Sequence, residues 1–531
     1  MPIHKVSGPS RSIILAVFRA ASRFLPLFFL LLLPRPLYAN NASVTNVSLV
    51  EQDQSANTIK VEFDLSWDNA WSDSINKDAV WVFVKYCTSS CGTIPAAWSH
   101  AILKTSGTNP SGFTRGTKGT TAFDTLDIVV PSDKMGAFIQ PSHQGSGTVQ
   151  FTDLQLVWDY GANGLSDATA SGSSVTVEVF AIEMVYIPEE GFYAGDGGTG
   201  NAQFEMGDGT QDLPATVNSE GGITFRNDSS GSYTNAYWFY NSDNNGYDEP
   251  DGAPFDVSEA FPKGFHAFYL MKHQIPEDLY VSFLNNLTSA QASARFPNQF
   301  GNDRHRVTVS GGTYSTDRPG RSCGYLSWMD VAAIADWAAL RPITELEYEK
   351  AARGPLAPVA GEYAWGTTSY TSCDTLSGAE DGTATCTSGN VNFGNTTFTG
   401  GDGGAGPLRV GILATSSTTT REEAGAGYYG NLGLSGNLAE LTVTLGATAG
   451  RAFSGTHGDG TLDSDGDATN DDWPGFVSGS GVTTGNGSGE RGGSWLDTQT
   501  ERITVSDRYN AADGLSTREN DRGGRLGRTA P

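Results

Sequence analysis

Glycine constrains this chain more than any other residue does. There are 66 in 531 residues, and from residue 355 onward they interrupt the sequence so often that neither helical nor strand periodicity is sustained. Such a chain folds into long ordered loops with brief strands and needs large side chains to pin them. Trp365, Trp473 and Trp495 are the predicted anchors. The length allows two or three domains and a sizeable core. A formal net charge of −26 argues against non-specific nucleic-acid binding, because a polyanion is repelled. The acidity has two uses: a coat that keeps the protein soluble, or oxygen ligands for cations.

The first 39 residues read as an export signal. Lys5, Arg11, Arg19 and Arg23 lead into the apolar run 24–33, and Leu37-Tyr38-Ala39 fits cleavage after a small residue. That run is short for a membrane span, and no later stretch reaches the ~20 apolar residues a spanning helix needs. No Cys near Ala39 is placed to carry a lipid. The expected mature protein is secreted, periplasmic or at the cell surface, without a transmembrane segment. The cysteines suit an oxidising compartment: Cys87 and Cys91 are spaced for a local bridge, Cys373 and Cys386 for a closed loop, and Cys323 is left over. Read as half a metal site, the Cys87/Cys91 pair lacks a second Cys/His pair nearby.

Residues 40–183 read as an all-β sandwich. Ile59, Val61, Phe63, Leu65 and Trp67 alternate with polar residues, as in a strand with one wet face. Residues 80–86 are more continuously apolar and fit a central strand. Segments 149–151, 154–158 and 175–182 continue the series between Gly/Ser/Asp-rich turns. No chemistry-bearing motif occurs in this region, so its predicted role is a spacer or docking module.

A second domain is predicted over 184–531. It opens with MVYIPEEGFYAGDGG, passes through a Gly/Asn/Asp/Ser-rich stretch to about residue 251 that reads as a loop-like insertion, and continues with HAFYLMKHQIPEDLYVSFLNNLT. There Pro276 suits a first helical turn, and Leu279, Phe283 and Leu287 share one helical face. Two further helices start with capping boxes, Ser327 with Asp330 and Thr344 with Glu347, and Gly354 stops the second. Glu345, Glu347 and Glu349 are read as cap, dipole and surface charges rather than catalytic acids.

Three motifs in fixed order are RPITELEYEKAARG from Arg341, SGNLAELT from Ser435 and RGGSW from Arg491. With the IPEEGF opening they resemble the sulfatase-modifying, formylglycine-generating enzyme family. The resemblance spans roughly the last two-thirds of the chain and implies an elaborated C-type-lectin-like fold. The expected class is therefore α+β: a sandwich, then a domain with few helices and much loop. In the family's oxidases two Cys five positions apart, beyond the Gly-Gly-Ser-aromatic motif, bind Cu(I). Aligned on that motif they fall at Asp497 and Arg502, and no Cys follows Cys386. Neither a carboxylate nor a guanidinium replaces a soft thiolate, so copper chemistry is not expected. A related branch uses non-haem iron held by a His triad on a helical domain; the His residues here are scattered, with no HxxxH spacing.

Calcium is the metal the resemblance favours. One family site uses backbone carbonyls and the Glu of a GNxWE motif, corresponding to Gly436, Leu438 and Glu440; Gly433 stands where the family has an oxygen-bearing side chain. A second uses an Asn-hydrophobic pair and a later Asp, matched by Asn392, Phe393, Asp402 and Gly404. Hard oxygen ligands from loops are what calcium needs. The run DSDGDATNDD from Asp463 is not an EF-hand, because its Gly is fourth rather than sixth and Pro474 stands where a bidentate Glu is required. GRSCG at 320–324 matches G-x-S-x-G but follows loop residues Asp317, Arg318 and Pro319 rather than a strand.

The binding candidate is the polar stretch after RGGSW. In the family's fold the corresponding strand and loop line an open groove, which makes Trp495, Asp497, Gln499, Glu501, Arg502 and Tyr509 the predicted ligand contacts. Arg508, Arg518, Arg525 and Arg528 are expected to pair with acids and hold the last loops. The same fold serves target-binding proteins diversified by retroelements, an analogy at the level of fold. The leading expectation is a non-catalytic binder of a protein, peptide or glycan. A family-type oxidase acting on a cysteine substrate and a structural envelope component stay open.

Overall fold

The computed structural model describes residues 42–89, 91, 98–172, 175–198, 200–206, 213–225, 237–240, 255–379, 383–415 and 418–531. The predicted export signal lies outside the described residues. Within them the chain is mostly β, with few helices and much loop. The early strands are Ser43–Asp53 (β1), Thr58–Ser72 (β2), Asp78–Cys87 (β3), Thr114–Lys118 (β4), Leu126–Val130 (β5), Ala137–Pro141 (β6), Gly145–Trp158 (β7) and Thr176–Ile187 (β8). An antiparallel sheet runs in the order β1–β2–β7–β4, with β2 and β7 paired from Ile59↔Trp158 to Ser72↔Gly145.

The period-two pattern of β2 does what it should: Ile59, Val61, Phe63, Leu65 and Trp67 are buried. Each such side chain contributes about 1.5–3 kcal/mol by leaving water. β3 is buried along its whole length because both its faces are dry. Val80, Val82 and Val84 join the core shared with β2 and β7, while Ala79, Trp81 and Phe83 join the core of the later region.

The later elements are Phe268–Met271 (β9), Glu277–Asn285 (α1), Ser289–Arg295 (α2), Trp328–Trp337 (α3), Arg341–Pro342 (β10), Glu345–Arg353 (α4), Ala439–Val443 (β11), Ser488–Arg491 (β12), Arg522–Gly523 (β13) and Leu526–Thr529 (β14). The larger sheet follows the path β10–β14–β9–β8–β3–β6–β5. β8 pairs with β3 from Thr176↔Cys87 to Val185↔Asp78, and its far end pairs with β9 from Met184↔Met271 to Ile187↔Phe268. The junction drawn at 183/184 thus falls inside β8, and the early and late regions meet through one continuous strand rather than a linker.

α1 and α3 cover one face of this sheet, and α4 packs with Val185, Ile187, Phe268 and Leu270 on the other. The capping boxes at Ser327/Asp330 and Thr344/Glu347 both form, and Gly354 ends α4 at φ +67°. A third box, Thr288 with Gln291, starts α2 and was not read from the sequence. The stretch predicted as a loop-like insertion differs from expectation. Its described parts include strands Leu213–Val217 and Ile223–Phe225, in a six-stranded sheet with Phe192–Ala194 and Phe255–Val257. Phe204, Phe225, Trp238 and Tyr240 share a core there, and that burial orders short segments whose polar neighbours looked like loop. No helix among the described residues is long and apolar enough to cross a membrane.

Candidate functional site

The C-terminal binding stretch is built on two glycines. β12 ends at Arg491, and Gly492 and Gly493 follow at φ +84° and +57°. A Cβ on Gly492 would sit 2.4 Å from the Leu434 carbonyl oxygen and one on Gly493 2.7 Å from that of Arg502, so only glycine makes this turn. Ser494 then donates to Asp497 Oδ2 from its amide at 2.8 Å and its hydroxyl at 2.9 Å. Trp495 is buried, with its amide on the Asn437 carbonyl at 2.9 Å and its indole N–H on that of Asn520 at 3.3 Å. Leu496, Gln499 and Glu501 are exposed, and the Arg502 guanidinium lies over the half-buried Tyr509 ring. Of the predicted contacts, then, Trp495 and Asp497 hold the turn, while Gln499, Glu501, Arg502 and Tyr509 reach its surface.

The backbone beneath is pinned by arginines, of which Arg491, Arg508 and Arg528 are buried. Arg491 reaches Glu345 at 3.0 Å, Glu349 at 2.6 Å and the Val505 carbonyl at 2.7 Å. Arg508 reaches the same Glu345 at 2.7 Å and the Ala202 carbonyl at 2.8 Å. Arg518 pairs with Asp330 at 2.7 Å, and Arg528 with Asp133 and the Ala339 carbonyl. Burial alone would raise the Glu345 carboxyl; Arg508 and Arg491 outweigh it and hold it below its ordinary range. The arginines pair as the sequence predicts. The glutamates do not lie on the surface: Glu345, Glu347 and Glu349 are all buried against guanidinium groups. A capping box with charges on both sides of a short helix gives no hint of depth.

The predicted calcium ligands meet the same chemistry. Glu440 is fully buried, and both its oxygens accept from Arg525, at 2.7 and 3.1 Å. That guanidinium also donates to the carbonyls of Met271, Lys272 and Leu432 at 2.8, 2.9 and 2.6 Å. The Leu438 carbonyl accepts from Gln274 Nε2 at 2.7 Å, and the Gly436 amide donates to the Gly492 carbonyl at 2.8 Å. Asp402 is held by Arg304 at 2.9 Å, Arg318 at 3.2 Å and Arg321. Burial would raise its carboxyl, but Arg321 and Arg304 hold it low. Asn392 donates to the Gly406 carbonyl and Asn437 Oδ1, the Phe393 carbonyl accepts from Ser372, and the Gly404 carbonyl accepts from the Phe398 amide. A calcium ion at either place would have to displace arginine, and the donor set as arranged does not fit it. Among the described residues no group of His, Cys, Asp and Glu is arranged to hold a metal.

The structure does bring the two predicted regions together: the Gly394 and Asn395 amides donate to the carbonyls of Asp497 and Trp495 at 2.9 and 2.7 Å. Cys87–Cys91 and Cys373–Cys386 are disulfides. Cys323 is buried, and burial pushes its thiol well up.

One concavity was missed by sequence reasoning. A cleft of about 750 Å³ opens between Asn69 and Trp71 at the end of β2 and the side formed by Thr418, Thr420 and Arg421, with Lys272 and His273 in its wall. Behind it Lys272 Nζ lies 2.7 Å from Asp78 and 3.1 Å from Glu183, all buried. Burial, outweighing Lys272, pushes Asp78 up to about 7. The available signal was a charge, Asp78, opening a largely apolar strand, and the Lys272-His273 pair directly after another. In comparison with known proteins, no family model matches the chain and no characterised protein matches it.

Proposed function

We propose that the chain is an exported, non-catalytic binding protein. In this reading a sulfatase-modifying-factor-type domain of C-type-lectin-like fold presents residues 496–509 to a protein, peptide or glycan. The observation that carries it is the division of labour after Gly493. Trp495, Asp497 and Arg508 face inward and fix the backbone, while Leu496, Gln499 and Glu501 are exposed on it. Exposed side chains on a rigid irregular segment give a surface whose specificity changes without changing the fold. The cysteine inventory supports the non-catalytic part: four of five are bridged and Cys323 is buried, which leaves no thiolate pair for Cu(I).

Two experiments test this. A peptide bearing Cys-x-Pro-x-Arg, incubated with the protein, copper and oxygen, should keep its thiol by mass spectrometry; conversion to an aldehyde overturns the non-catalytic reading. On peptide and glycan arrays, Leu496→Ala/Gln499→Ala/Glu501→Ala should lose at least about tenfold in binding at an unchanged melting temperature. Retained binding by the triple variant moves the site elsewhere.

A further inference from the structure

We propose a second, independent site: the cleft beside Lys272 binds a small organic carboxylate. The cleft adjoins a recess of about 40 Å³, and His273, Gly411, Ala424 and Leu432 wall both. The cleft itself, at about 750 Å³, lies in the range that holds small molecules, roughly 300–1,000 Å³. The recess has room for the head of such a molecule and not for its body.

Charge selects the ligand. The chain has 59 acidic residues against 33 lysines and arginines, yet neither cavity is lined by an acid among the described residues. Their cations are Lys272 and Arg421 in the cleft and Arg409 in the recess. Lys272 is balanced by Asp78 and Glu183. The two arginines are not balanced. Arg409 is 9% exposed and donates to carbonyls alone, from Nη2 to Ala384 at 2.7 Å and from Nη1 to Val410, itself in the recess wall, at 3.3 Å. Every other buried arginine among the described residues has a carboxylate partner. Arg421 is half-buried and donates to the carbonyls of Trp365 and Ala364 at 2.7 and 3.3 Å. The acid whose charge reaches it, Glu362, is taken up by Arg353.

Taking a guanidinium out of water without a counter-charge is unfavourable. Burial, with no acid to oppose it, pulls Arg409 down to about 10. An anion in the recess supplies the missing charge. One guanidinium there matches one negative charge, and its planar fork suits the two oxygens of a carboxylate; a phosphate dianion brings more charge than the recess balances. Arg421 adds a second positive charge on the way in, and Trp71 and Leu432 give the body of the ligand an apolar wall.

Saturation-transfer NMR on the whole protein tests this, with benzoate and hexanoate as probes and benzamide and hexanamide as their uncharged matches. At least one carboxylate should bind in the millimolar range or tighter, and its amide about tenfold more weakly or worse. Arg409→Met, which keeps the stem and removes the charge, should weaken carboxylate binding at least about tenfold. Arg421→Met, on the cleft wall, should weaken it severalfold. If Arg409→Met fails to fold, Arg421→Met and the contrast between acid and amide decide. No transfer to either carboxylate overturns the proposal. So does an amide that binds as well as its acid, and so does binding that the folded variants leave unchanged. Displacement of the carboxylate by an equal concentration of sodium chloride overturns it too, by reducing the recess to a site for inorganic anions.

Discussion

The two regions that share the large sheet are held together by different means. In the early region, long strands pair along their length and apolar side chains alternate into one core, as Ile59 to Trp67 of β2 do. In the late region the strands are short, and loop carbonyls lack ladder partners. Arginines supply what the ladders do not. Arg525 binds Glu440 and three carbonyls; Arg491, Arg508 and Arg528 each bind a carboxylate and at least one carbonyl. A guanidinium has five donors in a fixed fork, so one side chain both neutralises a buried acid and satisfies stray backbone oxygens. Glycine-rich chain folds without regular structure when it has such rivets.

The largest expected effect comes from pulling one. Arg491→Ala leaves Glu345 and Glu349 buried without this partner and should cost about 3–5 kcal/mol in urea unfolding. Leu65→Ala, in the early core, should cost about 2–5 kcal/mol through lost burial and a cavity. The double replacement Arg525→Met/Glu440→Leu sharpens the contrast. If the pair were only a salt bridge, the double variant would recover wild-type stability. Because three carbonyls also lose their donor, it should stay at least about 2 kcal/mol below. Full recovery would reduce the arginines to charge partners.

A pH effect comes next. Burial and then Asp459 push Asp336 up to about 7, above its ordinary 3.8. The folded state therefore holds this proton more tightly than the unfolded state, and its contribution is lost as pH rises from about 4 through 7. Asp336→Asn removes that loss, so the variant should gain on the wild type by up to about 1.4 kcal/mol per pH unit across the window. A constant difference would show that Asp336 does not titrate there. The smallest effect is expected from a chelator: with Glu440 and Asp402 bound by arginine, the melting temperature should not move, and a fall of several degrees would place calcium in the fold.

Local features were legible in the sequence, and long-range ones were not. The alternation in β2, the two capping boxes and both cysteine pairs depend on neighbours in sequence, and each has its expected counterpart. Gln499 and Glu501 are exposed, but Asp497 reads the same in sequence whether it faces a ligand or, as here, caps Ser494. Depth was the hidden variable. Glu345, Glu349 and Glu440 look like surface or ligand carboxylates until Arg491, Arg508 and Arg525, far away in sequence, arrive beside them. The Lys272 cleft was hidden for the same reason, since it needs walls from both regions.

The position of β14 sets a timetable for synthesis. It lies between β9 and β10 in the large sheet, and Arg528 within it reaches back to Asp133. Until residue 529 has left the ribosome, β9 and β10 have no strand between them and Asp133 lacks its Arg528 partner. Completion of the large sheet therefore waits for β14 and closes contacts hundreds of residues apart, a slow and vulnerable step. A nascent chain in that state offers unpaired strand edges to proteases and to other copies of itself, so what shields it meanwhile matters as much as its final stability.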